Sequence, residues 1–187
     1  MGLIRFATSN VHKLAEAKEL LSIAGWELKG IPQELLQSIV EPQSESFSFI
    51  AEQKLMNIVS KIKDIVFVED AGLVIPCLNN FPGPYSSYVL QTIGCNGLLK
   101  LLNKSSDRRA YFVAVIALSF NGKIKIIEEK CFGTISNVVK GEKGFGFDPI
   151  FIPDNSIHTF AELGSNWKSK YSHRAKAIDK LIQVLEQ

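Results

Sequence analysis

Four short segments carry residue types suited to phosphate and base chemistry. The first, Thr8-Ser9-Asn10-Val11-His12-Lys13, follows the apolar run Leu3-Ile4-Arg5-Phe6-Ala7 and opens an amphipathic stretch ending near Gly25. A short strand is therefore expected to deliver a Thr, an Asn and a Lys to the first turn of a helix. Unpaired N–H groups and the positive end of the macrodipole favour phosphate there. The glycines of a Walker loop are missing, and for this hexapeptide taken alone a plain cap, with Asn10 capping and Lys13 solvated, is the better account.

The second segment is Glu69-Asp70-Ala71-Gly72, where the apolar run Ile65-Val66-Phe67-Val68 stops. Adjacent acids on extended backbone point to opposite faces, so one of the two enters a given site. A carboxylate there can hold Mg²⁺ or accept a proton from water; a polar strand end at the surface is the equal alternative. Glu41 and Glu45 precede it in a loop and can supply a second oxygen ligand, although loop glutamates are usually just solvated. Lys54 lies among apolar residues, where it either snorkels along the core or reaches the same phosphates.

The third segment, Lys140 to Pro149, holds Gly141, Gly144 and Gly146 with Phe145, Phe147 and Asp148. Its glycines let backbone approach a ligand closely. Its aromatics can present a ring to a nucleobase, and Asp148 can bond a base edge or sugar. A structural turn with core phenylalanines explains the same residues equally well. The fourth comprises Lys168, Ser172, His173 and Arg174, at or before the start of the last helix. Cations beside a helix N-terminus are unfavourable unless an anion or polar ligand compensates. His173 beside the five-donor fork of Arg174 reads as a recognition pair. No G-x-S-x-G elbow supports a Ser/His hydrolase.

The elements that must position these residues follow from periodicity. Leu14, Ala17, Leu21 and Ala24 give the first helix one apolar face, and Gly25 ends it. A short strand is expected over 26–31, a loop over 32–48 and a helix over 49–61 with Ile50, Leu55, Ile58 and Ile62 apolar. Residues 65–68 form a buried strand, and helices are expected near 88–93 and 97–102. Two long β-rich runs, 110–120 and 123–131, flank Asn121-Gly122, the strongest short hairpin signal. A strand over 149–152 and a C-terminal helix from Ser172, with Ala175, Ile178, Ile182 and Leu185 on one face, complete the chain. This order predicts an α/β fold, a mixed sheet flanked by helices.

Bulk properties exclude several classes. A length of 187 residues suits one domain, with 46% hydrophobic and 21% charged residues marking a globular chain. Net charge of +2 gives no broad mandate for nucleic acid or acidic membranes. Cys77, Cys95 and Cys131 lack disulfide or zinc spacing, and no signal peptide or membrane-length apolar run is present. A soluble, cytoplasmic protein is expected.

Six segments in order then resemble the inosine-triphosphate pyrophosphatase family: Thr8-x-Asn10-x-x-Lys13, Glu69-Asp70-x-Gly72-Leu73, Phe81-Pro82-Gly83-Pro84-Tyr85-Ser86, Gly144 to Phe151, Thr159-Phe160-Ala161-Glu162-Leu163 and Ser172-His173-Arg174. The resemblance covers nearly the whole chain. It implies a single domain over 1–187 with a long bent mixed sheet, two lobes and a substrate cleft between them. It also implies a homodimer, for which the apolar segment from Phe81 to Val89 is a candidate interface. The implied reaction is Mg²⁺-dependent hydrolysis of ITP, dITP and XTP to the monophosphate and pyrophosphate. By the same resemblance Thr8, Ser9, Asn10, Val11, His12, Lys13 and Ala71 line the phosphate side, with Lys54 and Asp70 catalytic and Glu41 and Asp70 at the metal. Glu45 remains an alternative to Glu41. Phe145, Gly146 and Phe147 receive the base, and Asp148, Lys168, His173 and Arg174 define its edge. Ala71 departs from the Ser or Thr found in many relatives, and Phe147 from their Tyr or Trp. A pyrophosphatase for other nucleotides, a nucleotide-binding regulator without turnover and, least of all, a nucleic-acid module are the competing readings.

Overall fold

Alternating burial of Ile4 and Phe6 sets the first strand, β1 (Leu3–Phe6), in a computed structural model that describes residues 2–187. Asn10 then caps helix α1 (Val11–Ile23), which buries Ala17 and Leu21. The chain reverses at Gly25, at φ +80°, and Trp26 N–H donates to the Leu21 carbonyl. It returns as β2 (Glu27–Gly30), parallel to β1 with Ile4 opposite Leu28. The expected loop over 32–48 contains a five-residue helix, α2 (Gln33–Gln37). The next helix, α3 (Phe47–Met56), starts two residues earlier than expected because the Ser46 hydroxyl accepts from Phe49 N–H as its cap. It ends at Met56, and a separate 3-10 turn covers Val59–Lys61.

Strand β3 (Ile65–Val74) does not stop at Val68: it carries Glu69 and Asp70 in its interior and continues through Leu73 and Val74. Burying two acids mid-strand is tolerable because cations meet both, as described below. Helices α4 (Ser86–Thr92) and α5 (Gly94–Leu101) follow. The hairpin is formed by β4 (Arg109–Phe120) and β5 (Lys123–Ile135), with Asn121 and Gly122 both at positive φ (51° and 70°), as its two-residue turn demands. A short strand β6 (Phe151–Pro153) pairs antiparallel with β5. The six strands run β2-β1-β3-β4-β5-β6, and β1 pairs parallel with both β2 and β3, so the sheet is mixed.

Besides α2, two more helices escape the periodicity reading, α6 (Phe160–Leu163) and α7 (Ser165–Tyr171). Both are short. The start of α6 is nevertheless written in the sequence as Thr159-x-x-Glu162, a reciprocal capping box that the structure forms. The last helix, α8 (His173–Leu185), buries Ala177, Ile178, Leu181 and Leu185; Ile182 is half-buried.

The chain divides into two compact units. The first comprises Met1–Asp70, Ala114–Glu129 and Arg174–Gln187, with a core including Phe6 and Phe67, stacked at 4.3 Å. The second comprises Ala71–Val113 and Lys130–His173, with a core of Leu73, Leu98, Phe112, Ile150, Phe151 and Phe160 among others. No helix among the described residues is long and apolar enough to cross a membrane.

Candidate active site

In the first unit, the turn after β1 is organised by its own polar side chains. Thr8 Oγ1 accepts from Asn10 N–H at 3.1 Å, and Asn10 Oδ1 accepts from His12 and Lys13 N–H at 3.0 and 3.1 Å. Asn10 is thus a true N-cap, while Ser9, Val11 and His12 sit exposed on the turn. Lys13 departs from the plain-cap reading. It is not solvated: its Nζ lies 3.3 Å from Glu69 Oε1, and burial holds its pKa below the usual lysine value despite that carboxylate.

Glu69 and Asp70 diverge as neighbouring strand residues must. Glu69 receives two bonds from Arg174, Nε to Oε2 at 2.8 Å and Nη2 to Oε1 at 2.7 Å. The third guanidinium nitrogen, Nη1, donates to Glu16 on α1. Burial works against the charged form of Arg174, but Glu69 and Glu16 outweigh it and hold its pKa above the ordinary value. The pair expected to recognise the base, His173 and Arg174, is buried: Arg174 is 2% exposed and His173 5%. The arginine spends donors on two carboxylates because a buried guanidinium requires partners.

Asp70 carries the other cluster. Its Oδ1 lies 3.3 Å from Lys54 Nζ, which also meets Glu41 Oε2 at 2.9 Å. Its Oδ2 is buried without a hydrogen-bond partner. Burial pushes the Asp70 carboxyl above its usual range, although Lys54 and Lys13 pull against it. Lys54 moves the opposite way to Lys13: burial disfavours its charge, yet Asp70 and Glu41 together raise its pKa. Of the two loop glutamates the structure brings Glu41 to this cluster and leaves Glu45 exposed.

An orphaned carboxylate oxygen on a buried acid is the observation that bears on a metal. Asp70 and the half-exposed Glu41 are hard oxygen donors that share Lys54 through Oδ1 and Oε2, which leaves Asp70 Oδ2 without a partner. Among the described residues no group of three or more His, Cys, Asp or Glu could hold a metal ion. Two carboxylates, one with an unpartnered oxygen, are the donors that an ion completing its shell from water and phosphate, as Mg²⁺ does, would use.

In the second unit, the glycine loop is pinned by Asp148. Its Oδ2 accepts from Phe145 N–H and from Lys168 Nζ, both at 2.8 Å. Gly144 takes φ +79°, and a Cβ there would lie 2.2 Å from that same oxygen, so this position requires glycine. Asp148, expected at a base edge, thus uses Oδ2 to close its own loop. Lys168, on α7, is 3% exposed and sits 4.5 Å from the centre of the half-buried Phe145 ring. Thr159 Oγ1 donates to the Lys140 carbonyl and ties the loop to the start of α6.

Phe147, expected beside Phe145 at the base, is placed differently from it. It is buried in the core of the second unit, so its ring supports the loop from beneath and offers no open face. Gly146 accepts from Cys95 Sγ at 3.6 Å through its carbonyl. His173 stacks on Phe112 at 4.9 Å, and Ala71 contributes only a methyl group. Glu16 and Glu69 were missed as partners of Arg174. The spacing of Glu16 three residues after Lys13, on one helical face, was the available signal for the first; for Glu69 the signal was its alternation with Asp70.

Comparison with known proteins places these residues in a lineage. A model of the Ham1 family matches residues 4–184. A protein of Hyperthermus butylicus named dITP/XTP pyrophosphatase is 42% identical over 185 residues, 99% of this chain and 95% of the relative. One of the same name from Korarchaeum cryptofilum is 44% identical over 180 residues, covering 96% and 94%. Among solved structures, a Ham1 protein from Coxiella burnetii superposes with a TM-score of 0.86 at 34% identity, covering 100% of this chain and 99% of that one. The Staphylococcus aureus Ham1 protein gives 0.84 at 31%, covering 98% of each. With the family model spanning almost every residue and relatives above 40% identity over nearly full length, this chain belongs to the Ham1 family.

Proposed function

We propose that the protein hydrolyses non-standard purine nucleoside triphosphates, namely ITP, dITP and XTP, to the nucleoside monophosphate and pyrophosphate, and does so with Mg²⁺. The observation that carries the reading is the buried, partnerless Oδ2 of Asp70 beside the Lys54–Glu41 pair. Relatives named dITP/XTP pyrophosphatase over nearly the full length supply the substrate class.

Glu41 and Asp70 would hold the metal, which when bound offsets phosphate charge and polarises the phosphoryl oxygens. Thr8, Asn10 and Lys13, with the exposed turn through Ser9, Val11 and His12, receive the triphosphate. Asp70 orients the attacking water and takes its proton, a task suited to a carboxylate whose pKa burial has raised. The water oxygen bonds to the α-phosphorus as the α–β bridge bond breaks, so the electron pair and charge leave with pyrophosphate. Lys54 balances the charge on Asp70 and Glu41 and would turn to phosphate if those carboxylates held a metal. Phe145 offers a ring to the base. Lys168, His173 and Arg174 supply donors that suit a 6-oxo purine and oppose the 6-amino donor of adenine.

The protein acts as a cytoplasmic homodimer in this reading, through the segment from Phe81 to Val89, which exposes Phe81, Tyr85 and Tyr88; sedimentation of the wild type and a Tyr88→Glu variant tests it. The functional test is release of pyrophosphate and monophosphate from ITP, XTP and ATP with and without Mg²⁺. Mg²⁺-dependent IMP plus pyrophosphate, with ATP largely spared, is the expected result. Tight ITP binding without pyrophosphate release would refute it in favour of a regulator.

A further inference from the structure

Glu69 has no assignment in the reading above, yet it is the most enclosed acid of the first unit, with a side-chain exposure of 0%. One carboxylate meets two helix starts. It lies 3.3 Å from Lys13 Nζ in the first turn of α1, and it receives Nε and Nη2 of Arg174, in the first turn of α8, at 2.8 and 2.7 Å. An arginine at a helix N-terminus opposes the macrodipole. The bidentate bond to Glu69, with Glu16 on the third nitrogen, offsets that penalty and fixes the plane of the guanidinium.

We infer that Glu69 is a positioning residue that couples phosphate engagement to base selection. The inference rests on the functional reading above, in which Lys13 meets phosphate and Arg174 belongs to the base-selecting set. Lys13 and Arg174 share the charge of one buried carboxylate. When a phosphate draws Lys13, Glu69 serves Arg174 more fully, and by linkage a well-held Arg174 favours the state in which Lys13 is turned to phosphate. A substrate satisfying both ends gains from both. A mismatched base leaves the exchange incomplete.

The variant Glu69→Gln keeps the shape and removes the charge. Lys13 then loses its counter-ion within the protein and binds inorganic tripolyphosphate more tightly, while Arg174 loses its fixed plane and selection relaxes. The expected outcome is a fall of about tenfold in the ratio of kcat/KM for ITP over ATP, together with a lower inhibition constant for tripolyphosphate. These two readouts move in opposite directions with respect to binding, which general loosening of the fold does not produce. Glu69→Asp, which retains the charge, restores the tripolyphosphate constant. Glu16→Gln leaves Arg174 more dependent on Glu69, so it relaxes the ITP/ATP ratio and, by the same linkage, lowers the tripolyphosphate constant by less than Glu69→Gln does; it also carries the test if the Glu69 variants do not fold, an unmoved constant counting against the coupling. An unchanged ratio in a folded Glu69→Gln enzyme, or tripolyphosphate binding that weakens in step with ITP, overturns the coupling role. Failure of the wild type to hydrolyse ITP overturns the functional reading instead, so the two failures are distinct.

Discussion

Replacing Asp70 by Asn removes one negative charge from the interior of the first unit and barely changes side-chain volume. Asp70 is 6% exposed, its Oδ2 has no hydrogen-bond partner, and burial holds its pKa above the usual carboxylate value even with Lys54 at 3.3 Å. Because the folded pKa is the higher one, the folded protein holds more protons than the unfolded chain between the two values, and stability falls as pH rises through that window. Above the folded pKa the whole penalty is present; well below the ordinary carboxylate pKa it has vanished. A neutral amide avoids it, and Lys54 keeps Glu41 at 2.9 Å. The gain is on the order of 1 kcal/mol, or about 2–4 °C in Tm for a chain of this size. In the proposed function Asp70 accepts the water's proton, and loss of such a group costs about 10²–10⁴-fold in turnover. The variant should therefore be at least as stable as the wild type at neutral pH and nearly inactive on ITP, with the stability difference closing in acid. Thermal unfolding at the two pH values and a pyrophosphate-release assay read both effects. A variant that melts well below the wild type at neutral pH, or that retains turnover within about tenfold, refutes the reasoning.

Three further outcomes follow from the geometry. Asp148→Ala strips the acceptor from Phe145 N–H and from the buried Lys168, and should cost about 3–5 kcal/mol in urea unfolding while raising KM for ITP. Gly144→Ala should raise KM and destabilise by more than Gly146→Ala: both carry a positive-φ strain of about 1–2 kcal/mol, but only at position 144 does the new Cβ meet the Asp148 carboxylate. Glu41→Gln should raise the Mg²⁺ concentration needed for half-maximal activity and weaken Mg²⁺ binding by calorimetry, whereas Glu45→Gln should change neither.

The strand–turn–helix carrying Thr8 to Lys13 was legible because hydrophobic period and cap chemistry agree there, and the Asn121-Gly122 hairpin because its turn type admits few residues. The acids at 69 and 70 looked like a strand's end because a sequence does not display which cations will arrive from far along the chain. Lys13, Lys54 and Arg174 do so, and β3 runs on through them. The same reason hid the partners of Arg174: Glu16 and Glu69 lie 158 and 105 residues away. Phe145 and Phe147 are identical by type and separated by one glycine, and only packing tells the half-buried ring from the core one. Helices α6 and α7 are too short for a 3.6-residue period to declare itself.

The polar interior of the first unit also says what kind of ligand would complete it. Lys13 is held below the usual lysine pKa, so its buried positive charge is under-served by the protein alone. Asp70 is held above the usual carboxylate pKa, so its buried negative charge is under-served as well. Lys54, by contrast, is fully answered by Asp70 and Glu41. A purely anionic ligand would relieve Lys13 and aggravate Asp70; a bare cation would do the reverse. A metal–triphosphate presents both signs at once, phosphate oxygens for the lysine and a divalent ion for the carboxylates. Burial that costs stability in the absence of such a ligand is returned as affinity when it binds. The opposed shifts of these two groups thus accord with the metal–nucleotide complex of the proposed function better than with either component alone.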